Sequence, residues 1–119
     1  MYKIAIKPIS VNECWQGRRY RTPKYKSWAN TLHMLLPSKL EALEAQIFVS
    51  LRWGFSSKGS DIDNPTKPTL DVLQQKYGFN DSTIYELHQK KMIVEKGKEF
   101  IDIAIFNDRK AFFDYIFTE

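Results

Sequence analysis

The 119 residues fit a single domain, and 43% apolar content with three Trp, six Tyr and eight Phe suffices for one hydrophobic core. No run approaches the roughly 20 apolar residues of a membrane span and no apolar signal segment opens the chain, so an intracellular, cytoplasmic protein is expected. A single cysteine, Cys14, and two histidines, His33 and His88, exclude an internal disulfide and offer no zinc-ligand spacing, while the net charge is +4.

Tyr2 to Lys7 alternates, with Ile4 and Ile6 on one face, and predicts an opening strand cut off by Pro8. Ser10 to Pro23 is short of aliphatic residues and carries Gly17, Arg18, Arg19 and Arg21, which predicts a basic surface loop or arm. Thr22-Pro23 reads as an N-cap with proline at the first helical position. Tyr25, Trp28, Leu32 and Leu35 then share one helical face until Pro37.

Ala45 to Phe55 is the clearest strand. Ile47, Val49, Leu51, Trp53 and Phe55 line one face, and Ser50 and Arg52 mark the other as wet or open to a ligand. After a polar loop with Gly59, Asn64 is placed to cap a helix beginning at Pro65. Pro68 is awkward in that frame and moves the expected start toward Lys67, with Leu70 and Leu73 facing the core and Gly78 ending the helix.

Thr83 to Val94 and Phe100 to Phe106 are rich in β-formers, and the Gly97-containing link predicts a hairpin between them. Asn107 or Asp108 caps a last helix in which Phe112, Phe113, Tyr115, Ile116 and Phe117 leave little polar surface, so that helix must be buried somewhere. The order predicts one α+β domain over residues 1–119, a small mixed β-sheet packed by two or three helices.

The charge is divided unevenly along this order. Residues 1–60 carry ten Lys or Arg against three acids, and the remainder balances at −3. Cations that hold a phosphate backbone beside carboxylates that hold a metal suit a metal-dependent nuclease, although a solvated surface would look the same. Asp61 and Asp63 stand at i and i+2, which in extended backbone places both carboxylates on one side. Oxygen donors without sulfur or imidazole favour Mg²⁺ or Mn²⁺. An EF-hand fails, because Thr66 and Val72 stand where its loop needs Gly and Glu. No GxxxxGK[ST] loop is present. Lys67 and Asp71 are i,i+4 neighbours, which serves either a surface ion pair or a lysine that offsets charge on a phosphate in transition. Capping and turn formation remain the alternative use of Asp61, Asp63, Asn64 and Asp81.

Asp61-Ile62-Asp63-Asn64-x-x-Lys67-x-x-x-Asp71, followed by Asp81 and the Lys91 strand, resembles the signature of RusA-type endodeoxyribonucleases. Pro8-x-Ser10-x-Asn12, the arginine-rich arm and Gly97 extend the resemblance over roughly residues 4–106. The resemblance implies a bacterial or phage-encoded Holliday junction resolvase, acting as a homodimer on branched DNA with Mg²⁺ or Mn²⁺. Asp61, Asp63 and Asp81 match the family's essential carboxylates and Lys67 its catalytic lysine, with Asn64, Asp71 and Asn80 as supporting candidates. Asn80 stands where the family often has another Asp. Asn12, Arg18, Arg19, Arg21, Lys24, Lys26, Arg52 and Lys91 are the candidate DNA contacts. Trp15 and Tyr20 either stack on exposed bases or anchor the arm. A non-catalytic DNA-binding module, a partner-binding protein using the aromatic C-terminus, and a less selective nuclease acting on flaps or forks are the competing readings.

Overall fold

The computed structural model describes residues 2–17 and 20–118, in the order β1 (Tyr2–Ile4), β2 (Trp15–Gln16), β3 (Tyr20–Arg21), α1 (Pro23–Leu35), β4 (Ile47–Phe55), α2 (Thr66–Tyr77), β5 (Ile84–Ile93), β6 (Phe100–Phe106) and α3 (Arg109–Phe117). Four strands form a mixed sheet in the order β1-β6-β4-β5, and β2 and β3 form a separate two-stranded ribbon. The architecture is α+β, as the element order predicts.

The alternation of β4 places Ile47, Val49, Leu51, Trp53 and Phe55 in one cluster with Ile101 and Ile103 of β6, Leu32 and Leu36 from the α1 end, and Leu70, Val72 and Leu73 of α2. Thr22 caps α1 by accepting from the Tyr25 N–H at 3.1 Å, with Pro23 in the first turn. Leu36, held in extended backbone (φ −69°, ψ 147°) before Pro37, is buried in place of the expected Leu35, which is exposed. The change of backbone direction at the helix end turns one leucine outward and the next inward.

The second face of β4 is not open. Ser50 and Arg52 are buried, and α3 lies over this side of β4 and β6, with Phe112 in ring contact with Phe48 and Phe106. Arg52 itself sits beneath the Tyr115 ring, 4.8 Å from its centroid. The last helix is therefore the cover that the strand pattern lacked. Asp108 caps it by accepting from the Lys110 and Ala111 N–H groups.

β5 and β6 are not a hairpin. β5 pairs parallel to β4 on one edge, after the crossover through α2, and β6 pairs antiparallel on the other. The six residues 94–99 step across the end of β4. They are held there by Val94 N–H to Phe55 O at 2.7 Å and Ser56 Oγ to Glu99 Oε2 at 2.7 Å, and Gly97 (φ 93°) makes the turn. A short glycine-containing link suits either a hairpin or a step over one strand, because six residues reach about 20 Å and two inter-strand spacings need about 10 Å.

The first strand stops at Ile4 rather than Lys7, where Ile6 N–H turns back onto Ile4 O at 2.9 Å. The arm is more ordered than a surface loop. Cys14 and Ile9 are buried against Tyr25, a short 3₁₀ turn covers Val11–Glu13, and Gly17 (φ 67°) turns the ribbon. Arg18 and Arg19 lie outside the described residues.

Candidate active site

β4 ends in the loop that carries the acidic motif, and β5 fixes that loop in place. The Lys91 ammonium donates to the Lys58 and Ser60 carbonyls at 2.8 and 2.5 Å. Gln89 Oε1, on the same face of β5, accepts from Trp53 Nε1 at 3.1 Å and from Thr66 Oγ1 at 2.6 Å, which ties the start of α2 to the sheet. The backbone between Asp61 and Thr66 is not extended. Asn64 N–H donates to Asp61 O at 3.2 Å and Thr66 N–H to Asp63 O at 3.1 Å, so overlapping turns replace the strand-like alternation that would put both carboxylates on one side.

Asn64 does not cap α2. The residue before the helix is Pro65, without a side-chain cap, and Asn64 instead accepts from the Val11 N–H through its carbonyl at 2.8 Å. That bond joins the Ser10–Glu13 turn, with exposed Asn12, to the acidic loop. Between the two lies a cleft of about 190 Å³ lined by Lys7, Ser10, Glu13, Ser60, Asp61 and Asn64. Pro68 falls in the first turn of α2, where its missing N–H has no intrahelical partner to lose.

Lys67 is the centre of a chain of charges. Its Nζ lies 3.2 Å from Asp71 Oδ1 and 3.2 Å from Asp81 Oδ2. The other Asp71 oxygen, Oδ2, pairs with Arg21 Nη2 at 3.0 Å. Hydrogen bonding to Asp71 first, and to Asp81 next, raises the Lys67 pKa above its ordinary value and keeps the ammonium charged. Asp81 is positioned by its backbone, whose N–H donates to Gln74 Oε1 at 2.9 Å. Asn80 caps the following turn by accepting from the Ser82 N–H at 2.9 Å.

Asp61 and Asp63 are exposed, and among the described residues neither carboxylate is ion-paired. Among the described residues no three His, Cys, Asp or Glu side chains are gathered as a metal set. Magnesium, however, is commonly held by one or two carboxylates with water completing the shell. Two unpaired, solvent-facing carboxylates with oxygen donors alone fit such an ion.

The expected DNA-binding cations fall into distinct settings. Lys26 is exposed. Lys24 is also exposed and pairs with Glu13, whose carboxyl it holds below the usual carboxylate range. Arg52 is buried under α3, which overturns its assignment to an open strand face. Lys91 and Arg21 are engaged by the protein itself. Tyr20 is 71% exposed on the ribbon and Trp15 42%. Sequence reasoning missed Gln74 and Gln89 and the strut made by Lys91. The period-2 polar run Gln89-x-Lys91 on the core side of a strand was the available signal, since such polar side chains need partners there.

A protein-family model described as endodeoxyribonuclease RusA matches residues 8–104, the stretch from the cleft through most of β6. No curated protein matches the chain.

Proposed function

This chain belongs to the RusA family of Holliday-junction-resolving endodeoxyribonucleases, and on that premise we propose that it resolves four-way DNA junctions by paired symmetric nicks that require Mg²⁺ or Mn²⁺. The observation that carries this reading is Lys67, held between Asp71 and Asp81 on the helix that follows the exposed Asp61-Asp63 turn. An ammonium has three donors, and the two carboxylates take two of them. The third remains for a phosphate oxygen, and Lys67 is 61% exposed, so substrate has access to it.

Of the three expected metal ligands Asp61, Asp63 and Asp81, the exposed pair Asp61 and Asp63 would hold the ion with water completing its shell, while Asp81 is paired with Lys67 and is not gathered with them. When bound, the ion supplies Lewis acidity toward a phosphoryl oxygen and toward water. Lys67 offsets the negative charge that grows on the scissile phosphate, and Asp71 and Asp81 hold it charged and oriented for that task. Lys24, Lys26 and the arm residues Arg18 and Arg19 supply nonspecific contacts to the DNA backbone, with Asn12 beside the acidic loop. Paired nicks need two equivalent sites, and one chain carries one such motif, so the acting species is a twofold homodimer. Phe117, 79% exposed and stacked on Phe113 on the outer side of α3, supports an apolar contact between copies.

The test is incubation with a synthetic four-way junction, a fork and linear duplex, each with and without Mg²⁺. Metal-dependent, paired incisions in the junction are expected. Asp61→Asn and Asp63→Asn should abolish them while junction binding is kept or strengthened, because charge repulsion with phosphate falls. Equal cleavage of forks would favour a less selective nuclease. Near-normal cleavage by both variants would remove the metal role of these two acids.

A further inference from the structure

Arg21 reads from the sequence as one more cation of a DNA-binding arm, but its setting is that of an internal strut. Its guanidinium lies over the Trp15 ring, 3.9 Å from the centroid, and over the Tyr25 ring at 4.3 Å. Its Nη2 pairs with Asp71 at 3.0 Å, and its side chain is 27% exposed. A phosphate ligand must present its fork to solvent, whereas this fork is stacked and paired within the protein. The ribbon register sets Trp15 directly opposite Arg21, so the conformation of the arm fixes where the guanidinium lies.

Asp71 has one oxygen on Arg21 and the other on Lys67. We infer that Arg21 is a positioning residue, which links the β2–β3 arm through Asp71 to the Lys67 ammonium. This inference rests on the catalytic role proposed for Lys67. Asp71 is the largely covered partner, with a side chain 19% exposed, and Lys67 is the exposed one. With Arg21 gone, the largely covered Asp71 carboxylate has Lys67 as its remaining cation and draws the ammonium toward itself, away from Asp81. A misplacement of about 1 Å at a reacting group is enough to cost on the order of 100-fold in rate. The arm that meets the DNA is thereby mechanically joined to the lysine that acts on it.

The experiment measures junction affinity, its salt dependence and the single-turnover cleavage constant at saturating enzyme for wild type, Arg21→Gln, Arg21→Lys, Asp71→Asn and the double variant Arg21→Gln/Asp71→Asn. Arg21→Gln is expected to lower the cleavage constant about 10- to 100-fold with affinity and salt slope unchanged. Arg21→Lys should recover part of the rate, because it keeps the charge without the planar fork. The double variant should lose no more than the worse single one, as expected of residues acting as a unit. Should Arg21→Gln fail to fold, Asp71→Asn and Arg21→Lys carry the same comparison. A normal saturated rate in Arg21→Gln with weaker binding and a salt slope smaller by about 1 would make Arg21 a phosphate ligand and overturn the inference. Multiplicative losses in the double variant would overturn it too. Absence of cleavage by wild type would remove the proposed function as well, so the two failures are distinguishable.

Discussion

Replacing Lys67 by Ala separates a catalytic lysine from a structural one, because the structure gives the two roles different magnitudes. The side chain is 61% exposed, and its i,i+4 pair with Asp71 is of the kind that contributes a few tenths of a kcal/mol. For a 119-residue chain the unfolding entropy is about 0.25 kcal/mol/K at about 2.1 cal/mol/K per residue, so a loss of about 0.5 kcal/mol lowers Tm by about 2 °C. Loss of a preorganised donor to transition-state charge costs about 2.7–4 kcal/mol, equivalent to a rate reduction of about 100- to 1,000-fold. Thermal melting followed by circular dichroism reads the first number. Single-turnover nicking of a labelled four-way junction at saturating enzyme and fixed Mg²⁺ reads the second. A cleavage constant within about threefold of wild type would refute the role given to Lys67, and a Tm drop of about 10 °C or more would show that the lysine holds the fold instead.

Phe112→Ala removes a ring that is 2% exposed and touches Phe48, Phe106 and Phe113, which should cost about 3–5 kcal/mol and lower Tm by about 12–20 °C on the same entropy. A shift below about 4 °C would mean that α3 contributes little to the fold. Gly54→Ala places a methyl 2.3 Å from the Phe100 ring, and overpacking of about 1–3 kcal/mol is expected, seen as a lower urea midpoint, with an unchanged midpoint as the contrary result. Burial pushes the Tyr77 phenol up to about 12, with its O–H donating to Pro37 O at 2.6 Å. A folded-state pKa above the unfolded value gives stability that is complete below about pH 10 and is lost as pH rises through about 12. The advantage of wild type over Tyr77→Phe in melting experiments should therefore shrink with rising pH in that window, and a constant difference would contradict the burial argument. Removing charge together at Arg18, Arg19 and Lys26 should weaken binding to every DNA shape and flatten the salt slope by about 0.9 per lost contact, and an unchanged slope would place the DNA surface elsewhere.

The acidic motif and its lysine are legible in the sequence because their spacing is local. Asp61, Asp63, Lys67 and Asp71 lie within eleven residues, and the helix brings Lys67 and Asp71 together by its own periodicity. The contact of Asp81 with Lys67 does not follow from spacing, since the chain must first run the length of α2 and fold back along it. Resemblance to a known signature, rather than periodicity, picks Asp81 out. Local rules mislead in the turn at Asp61, where i and i+2 share a side only in extended backbone and the segment makes overlapping turns instead.

What the sequence by itself determined is whatever depends on neighbours along the chain: the cap at Thr22-Pro23, the αL stop at Gly78, a cap for α3 at Asn107 or Asp108, of which the structure uses Asp108, and the apolar face of β4. Only the tertiary structure decided which edges of β4 receive β5 and β6, because a six-residue link permits either a hairpin or a step across one strand. Likewise, a strand's own pattern cannot say what covers its second face. Arg52, polar and alternate, looks solvent-facing until α3, nearly sixty residues later, closes over it. The fate of Arg21 has the same cause. A cation in a polar arm is indistinguishable from a DNA ligand until Trp15, Tyr25 and Asp71, which come from the ribbon and two different helices, meet around its guanidinium. Burial and partnership are properties of contacts between distant segments, and no local periodicity encodes them.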